Sequence, residues 1–352
     1  MKNIPNDITT TAAITSYFLK EYGHDLQKHF PFSNSQTFPK EISKSDCIDL
    51  SQIKKKAIAC ERNGSYSESC FLYYQLAFCD DPSLAIDACL GVAKCLAHLG
   101  YLARATCWAS LGMAIARHNE LTFKMAQASW IRGNALVRGS EFQLAYDSFS
   151  LDFALLPPGH PQRTWALSMQ AYALGQMGAE TSLAAESMYR IAAHMFSKED
   201  PSNFAYSGLA LLGALHKKKQ LFNEAFENIV NCTTPYILFR MEVASFLNNP
   251  ASSEIFQRLV LHSQKLNSKK YRWELAWINQ CSQFMNVDFK LKLSEQGEFP
   301  LAPFPTEHPA WPLVSKLEFD GIEMTLPDCG LDQWNWADSI EELIQQRICI
   351  CL

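Results

Sequence analysis

A pair of small residues recurs every 36 to 40 residues along this chain of 352 residues. The first members of the pairs are Ala57, Ala93, Gly133, Ala173 and Gly213. The second members follow twelve residues later and are Ser69, Ala105, Ala145, Ala185 and Ala225. Small side chains on two neighbouring helices let their backbones approach closely while larger residues fill the space around them. The spacing therefore predicts a series of helical hairpins.

The residues around these pairs support the same prediction. Three residues before the second small residue, the chain has Tyr66, Leu102, Phe142, Ser182 and Phe222, which are mostly large and apolar. Four residues after it come Tyr73, Ala109, Phe149, Tyr189 and Ile229. The first helix of each hairpin is expected to end at Asn63-Gly64-Ser65, His98-Leu99-Gly100, Arg138-Gly139-Ser140, Met177-Gly178-Ala179 and Lys218-Lys219-Gln220. Four of these five tripeptides contain the glycine that is common at helix C-termini, so residues 50–232 are predicted to form five antiparallel helix pairs.

This pattern resembles the tetratricopeptide (TPR) repeats over about residues 50–248. The segments NGSYSESCFLYYQLAFCDDP and SEFQLAYDSFSLDFALLPP match the family pattern of glycine, aromatic residue, small residue and aromatic residue, with proline after the second helix. The first pattern position, usually Trp, is Ile53, Cys89, Ser129, Met169 and Leu209, and the period of about 40 exceeds the family's 34. The resemblance implies an all-α, right-handed superhelical solenoid with long repeats and a concave groove, and the alternative is an irregular helical bundle.

The flanking segments differ from the repeats. Residues 1–49 are predicted to form an N-terminal helical cap and connector, and residues 249–286 are predicted to form capping helices, which the open ends of a solenoid require. Residues 287–352 form a Pro/Trp-rich segment with a strand-like LEFDGIEMTL and a final helix. Three indoles left in water would expose a large apolar patch. We therefore expect Trp311, Trp334 and Trp336 to pack back onto the repeats.

Composition excludes several classes of protein. The net charge of −5 and the pI near 6.0 argue against nucleic-acid binding, which depends on an excess of positive charge. The chain contains no run of 18 apolar residues and no uninterrupted apolar stretch typical of a signal peptide, so we expect a cytoplasmic protein. Its twelve cysteines are interpreted as reduced thiols that pack as small apolar side chains. No cysteine or histidine spacing fits a zinc site, and no metal or cofactor is predicted.

The first helices line the concave face of a TPR array, so one side of each is a candidate binding surface. By this register the groove-facing residues are Arg62, Lys94, His98, Asn134, Arg138 and Lys217. Five of these six can be positively charged, and they would favour a partner segment, extended or helical, that carries acidic residues or a terminal carboxylate. Asn134 is at a position where TPR proteins often hold a peptide backbone. The alternative is that these basic residues only complement helix dipoles near helix C-termini.

The C-terminus, Cys349-Ile350-Cys351-Leu352, fits a prenylation motif in which Cys349 would carry a geranylgeranyl group and bring the protein to a membrane. The alternative is an apolar end packed against the body of the protein. No catalytic motif is present. The leading interpretation is a non-catalytic scaffold or adaptor that binds another protein. The alternatives are a peptide-sensing TPR regulator, a prenylated bacterial effector, and an enzyme using the C-terminal segment, in which Cys329 is the candidate nucleophile and His308 lies upstream.

Overall fold

The computed structural model describes residues 50–267 except 100, 140, 196–198, 230, 250 and 251. It also describes residues 11, 271, 274, 275 and 278 and the backbone of two strands. The described residues belong to two compact units: the first ends at Leu136 and the second begins at Val137. The N-terminal cap and connector, the final helix, Trp311, Trp334, Trp336, Cys329, His308 and Cys349 lie outside the described residues.

The described part of the chain is almost entirely helical. The first unit contains α1 (Leu50–Asn63), α2 (Tyr66–Leu76), α3 (Pro82–His98), α4 (Leu102–His118) and most of α5 (Thr122–Arg138). The second unit contains α6 (Phe142–Leu155), α7 (Gln162–Met177), α8 (Ser182–Met195), α9 (Glu199–Leu215), α10 (Lys219–Glu227), α11 (Pro235–Asn248) and α12 (Ser253–Ser263). The strand-like stretch forms an antiparallel hairpin of β1 (Lys316–Phe319) and β2 (Ile322–Thr325). The helical fold class is confirmed, and the strand-like reading of this stretch agrees with the hairpin.

Helix boundaries follow from local chemistry. Asp81 caps α3 by accepting hydrogen bonds from the backbone N–H groups of Ser83 and Leu84, and Pro82 occupies the first turn, where it leaves no N–H unpaired. Gly64 and Gly178 follow α1 and α7 with φ of 81° and 137°, in the region that a side chain disfavours. Both glycines therefore end their helices as predicted.

The first four predicted helix ends are met at Asn63, His98, Arg138 and Met177, but the fifth predicted end is wrong. Helix α9 ends at Leu215, and Lys219 is already the first residue of α10. The turn between them consists of residues 216–218, with Lys217 at a φ of 54°. This turn has no glycine, so sequence offered no clear end signal, and a lysine adopts the left-handed conformation instead.

All ten small positions of the predicted pairs are buried. In the first pair, the Ser69 hydroxyl donates a 2.8 Å hydrogen bond to the carbonyl oxygen of Ala57, which joins α2 to α1. In the last pair, a Cβ added to Gly213 of α9 would lie 2.7 Å from the backbone nitrogen of Phe222 in α10. These close approaches explain why the pattern requires small residues, and the predicted burial is confirmed.

In the first unit, α2 packs against both α1 and α3, and α3 packs against α4. Tyr73 of α2 lies against Gly91 of α3, where an added Cβ would come within 2.5 Å of the ring. Tyr74 meets the indole of Trp108 edge to face, at 5.7 Å between ring centroids. An aromatic layer contributed by second helices therefore fills the space between successive hairpins.

In the second unit, α7 packs against α6, α8 and α9, and α9 packs in addition against α8, α10 and α11. Helices α7 and α9 thus each contact their own second helix, the second helix before it and the next first helix. Tyr189 of α8 lies against Gly208 of α9. Phe246 of α11 lies 5.5 Å from Phe256 of α12 between ring centroids, so a helix within the segment 249–286 packs against α11.

Candidate interaction face

Helix α3 is buried between its neighbours except along one polar stripe. After its first turn, the residues of α3 that reach solvent are Asp87, Lys94 and His98. They are spaced by seven and four residues, which places them on one side of an α-helix. We call the side of the first unit that carries these residues and their partners on α1 and α5 the first-helix face.

Asp87 links three helices on this face. Its carboxylate accepts a 2.9 Å hydrogen bond from Lys54 of α1 and forms a second ion pair with Lys124 of α5. Burial by itself would raise the pKa of Asp87, but the hydrogen bonds from Lys124 and Lys54 outweigh burial and lower it. The ionised carboxylate therefore holds α1, α3 and α5 together.

Glu61 of α1 forms the second polar link. One carboxylate oxygen lies 3.0 Å from the Lys94 ammonium, and the other accepts a 2.8 Å hydrogen bond from the Tyr73 hydroxyl. Burial, reinforced by the neighbouring Glu61 charge, raises the pKa of Tyr73 far above its usual value, so the phenol stays protonated and remains a donor. Lys94, predicted to face a groove, is thus half-exposed but already paired.

The other predicted residues of the first unit also have structural contacts. The His98 ring stacks on the buried Tyr66 ring at 4.4 Å and an interplanar angle of 9°. The Asn134 amide donates a 2.8 Å hydrogen bond to the carbonyl oxygen of Trp130, one turn earlier in α5. Arg62 is exposed in the last turn of α1. Of the six predicted residues, Lys94 and His98 therefore belong to the first-helix face.

Arg138 and Lys217 belong to the second unit. Arg138 is the half-buried last residue of α5, as the helix-end prediction required. Lys217 is exposed, but it lies in the turn after α9 and not on the helix. Its expected position on the helix is corrected accordingly, because α9 ends at Leu215, three residues before Lys218.

The predicted excess of positive charge is largely neutralised within the first-helix face. Lys54, Lys94 and Lys124 share the face with Glu61 and Asp87, and every one of these ammonium groups has a carboxylate partner. The acidic members were missed by a search for basic residues. A signal did exist, because both α1–α3 pairs, 54 with 87 and 61 with 94, are 33 residues apart and so close to one repeat.

The described residues contain no group of three or more His, Cys, Asp or Glu side chains arranged to hold a metal ion. The cysteines of α2 to α4 are buried, namely Cys70, Cys89, Cys95 and Cys107. Burial raises the pKa of Cys95 to about 12 and that of the less buried Cys79 to about 11, which suppresses the reactive thiolate. Packing is the role that these thiols have in the structure.

No helix of the described residues combines the length and apolar character needed to cross a membrane. Comparisons of the chain with protein-family models, with curated proteins and with solved structures found no match. The TPR resemblance therefore depends on the spacing of residues in this chain alone.

Proposed function

We propose that this chain is a non-catalytic, cytoplasmic interaction scaffold, in which TPR-like helix pairs stack as a right-handed solenoid and the first helices bind a segment of another protein. The observation that carries the proposal is the polar stripe on α3. After its first turn, this helix exposes only Asp87, Lys94 and His98, and Asp87 is paired with both α1 and α5. Neighbouring helices held in register by ion pairs provide a preorganised surface, which lowers the ordering cost of binding.

The chemistry of this face describes the expected partner. Lys94 is paired with Glu61, so an acidic side chain of a partner would bind by exchanging with that carboxylate. Exchange within an existing pair contributes less affinity than capture of an unpaired ammonium, because the pair must first be separated. We therefore expect an extended or helical partner segment in which a carboxylate is one contact among several, and in which backbone groups contact the half-buried Asn134.

The test starts with purification of the full chain and identification of a bound protein by mass spectrometry, followed by affinity measurements with the purified partner. Arg138→Glu and Lys94→Glu are each expected to weaken binding tenfold or more. Lys55→Glu is the matched control, because Lys55 is exposed on α1 and is rotated about 100° from Lys54. Circular dichroism at the binding temperature checks that each variant is folded.

Three outcomes distinguish the functions. A protein partner whose affinity falls with Lys94→Glu and Arg138→Glu but not with Lys55→Glu supports the scaffold. A short peptide as the only bound species supports the peptide-sensing alternative. Folded Lys94→Glu and Arg138→Glu proteins that keep full affinity and an unchanged salt dependence would place recognition outside the first helices.

A further inference from the structure

Asp152 of α6 is a buried acid without a counter-ion among the described residues. It lies in the last turn of α6, and its exposed fraction is 0%. No ion pair joins it to any described residue. Its side chain instead accepts hydrogen bonds from the amide nitrogen of Gln162, at 3.0 and 3.2 Å to the two carboxyl oxygens. A neutral amide cannot compensate the cost of burying a full negative charge.

The Asp152–Gln162 contact closes the corner between α6 and α7. Asp152 is near the end of one helix and Gln162 is the first residue of the next, with a six-residue loop, 156–161, between them. Gly159, within this loop, has a left-handed conformation with a φ of 83°. The side-chain contact therefore joins the two ends of the loop directly.

Other polar and charged groups at this corner are engaged elsewhere. The Arg163 guanidinium donates a 3.1 Å hydrogen bond to the carbonyl oxygen of Leu156 and lies 4.0 Å above the Phe153 ring. His160 accepts at Nδ1 from the backbone N–H of Gln162. Asp147, the other acid of α6, accepts a hydrogen bond from Gln143 on its own helix. None of these groups forms an ion pair with Asp152 among the described residues.

Burial raises the pKa of Asp152 to about 7, although the Gln162 hydrogen bond favours the charged form and opposes this shift. In an opened corner the carboxyl would return to the ordinary value near 3.8. Between these two values the closed corner holds a proton that the open corner releases. Rising pH therefore favours opening across this interval, and the effect levels off above about pH 7.

We propose that Asp152 and Gln162 form a proton-dependent latch at the α6–α7 corner, closed when the Asp152 carboxyl is protonated and opened to water when that proton passes to solvent. The latch would control exposure of the loop 156–161. The proposal does not depend on the binding function, because neither Asp152 nor Gln162 is among the residues proposed to bind a partner.

Hydrogen–deuterium exchange of the full chain at pH 5, 6, 7 and 8 tests the latch. After correction for intrinsic exchange rates, the opening constant of peptides covering 150–165 is expected to rise on the order of a hundredfold from pH 5 to 7 and then to level off. Asp152→Asn keeps the shape and the acceptor oxygen but cannot ionise, so its opening constant should be independent of pH. Asp147→Asn, on the same helix, should behave as wild type.

Gln162→Met gives an independent test if Asp152→Asn does not fold. Removing the amide donor takes away a hydrogen bond that favours the charged carboxyl, so the plateau should move to higher pH. His160→Gln removes the imidazole and so tests whether His160 contributes to the pH dependence. The pH dependence of its opening constant should match that of the wild type. The latch is refuted if Asp152→Asn shows the wild-type pH dependence, if wild-type opening does not change with pH, or if Gln162→Met leaves the plateau in place.

Discussion

The Ser69 hydroxyl donates its hydrogen bond to the carbonyl oxygen of Ala57, so two positions that are twelve residues apart in sequence touch across the seam between α1 and α2. The same interval separates the buried pairs of the other four hairpins. In the first hairpin this contact explains the spacing, because a larger side chain at either position would displace the partner helix.

Ala145→Leu should destabilise the protein by about 1–3 kcal/mol, because Ala145 is fully buried in α6 and a well-packed seam cannot accept three more carbon atoms without strain. Denaturant unfolding measures the change. Ala184→Leu is the matched control, because Ala184 is exposed on α8. An unchanged midpoint for Ala145→Leu would show that the seam is not packed in this register.

Gly213→Ala should also destabilise, even though alanine is favoured over glycine inside a helix by about 1 kcal/mol. The added methyl group would meet the Phe222 backbone nitrogen at 2.7 Å, and backbone cannot move aside as a side chain can. We expect a net loss of about 1–3 kcal/mol in the free energy of unfolding. At Gly112 the nearest atom is the flexible end of Leu90 at 3.1 Å, so Gly112→Ala should cost much less. Equal effects at the two sites would contradict the seam geometry.

Asp87→Asn should lower the free energy of unfolding by on the order of 1 kcal/mol at low salt, because it removes the shared partner of Lys54 and Lys124. The difference from wild type should shrink at high salt, since screening weakens partly exposed pairs. Because the folded pKa of Asp87 is lowered, its stabilisation is present above the ordinary value of 3.8 and is lost as pH falls through the folded value. Glu180→Gln, an exposed change in a loop, is the control. A salt-independent loss would indicate a packing role for Asp87.

Asp152→Asn should increase global stability at pH 8 by up to about 4 kcal/mol, the free energy that corresponds to a shift of about three pH units. The pH dependence of stability that Asp152 contributes has the opposite sign to that of Asp87. The folded pKa is raised to about 7, so the full stability is present below the unfolded value near 3.8, falls as pH rises towards 7 and stays low above it. At pH 4 the variant and wild type should therefore unfold at similar denaturant concentrations. A variant that is less stable than wild type at pH 8 would show that the buried carboxylate has an undetected compensating partner.

Helix positions and seams were predictable from sequence because both depend on short-range spacing. The first helices end at Asn63, His98, Arg138 and Met177, as the turn residues indicated. Only the end of α9 was misplaced, where glycine is absent and Lys217 takes the left-handed conformation. When a residue other than glycine takes the left-handed conformation at a helix end, a single sequence does not indicate where that helix ends.

The side-chain partners were not predictable in the same way. Lys94 was expected to face a binding groove with its charge available, but it pairs with Glu61 across two helices. Asn134 was expected to hold a partner backbone, yet one of its N–H groups bonds to Trp130 in its own helix. Whether two side chains on different helices meet depends on how each helix is rotated about its axis, and packing of the whole unit decides that rotation.

By itself, the sequence determined that the chain is built from paired helices with close seams, because recurring small residues and turn glycines act through local backbone geometry and close packing. Tertiary structure alone decided which charges are neutralised and which acid is buried. Asp152 has no sequence feature that separates it from Asp147, five residues earlier on the same helix. Only the packing of α7 against α6 removes water from the Asp152 carboxyl and leaves Gln162 as its hydrogen-bond donor.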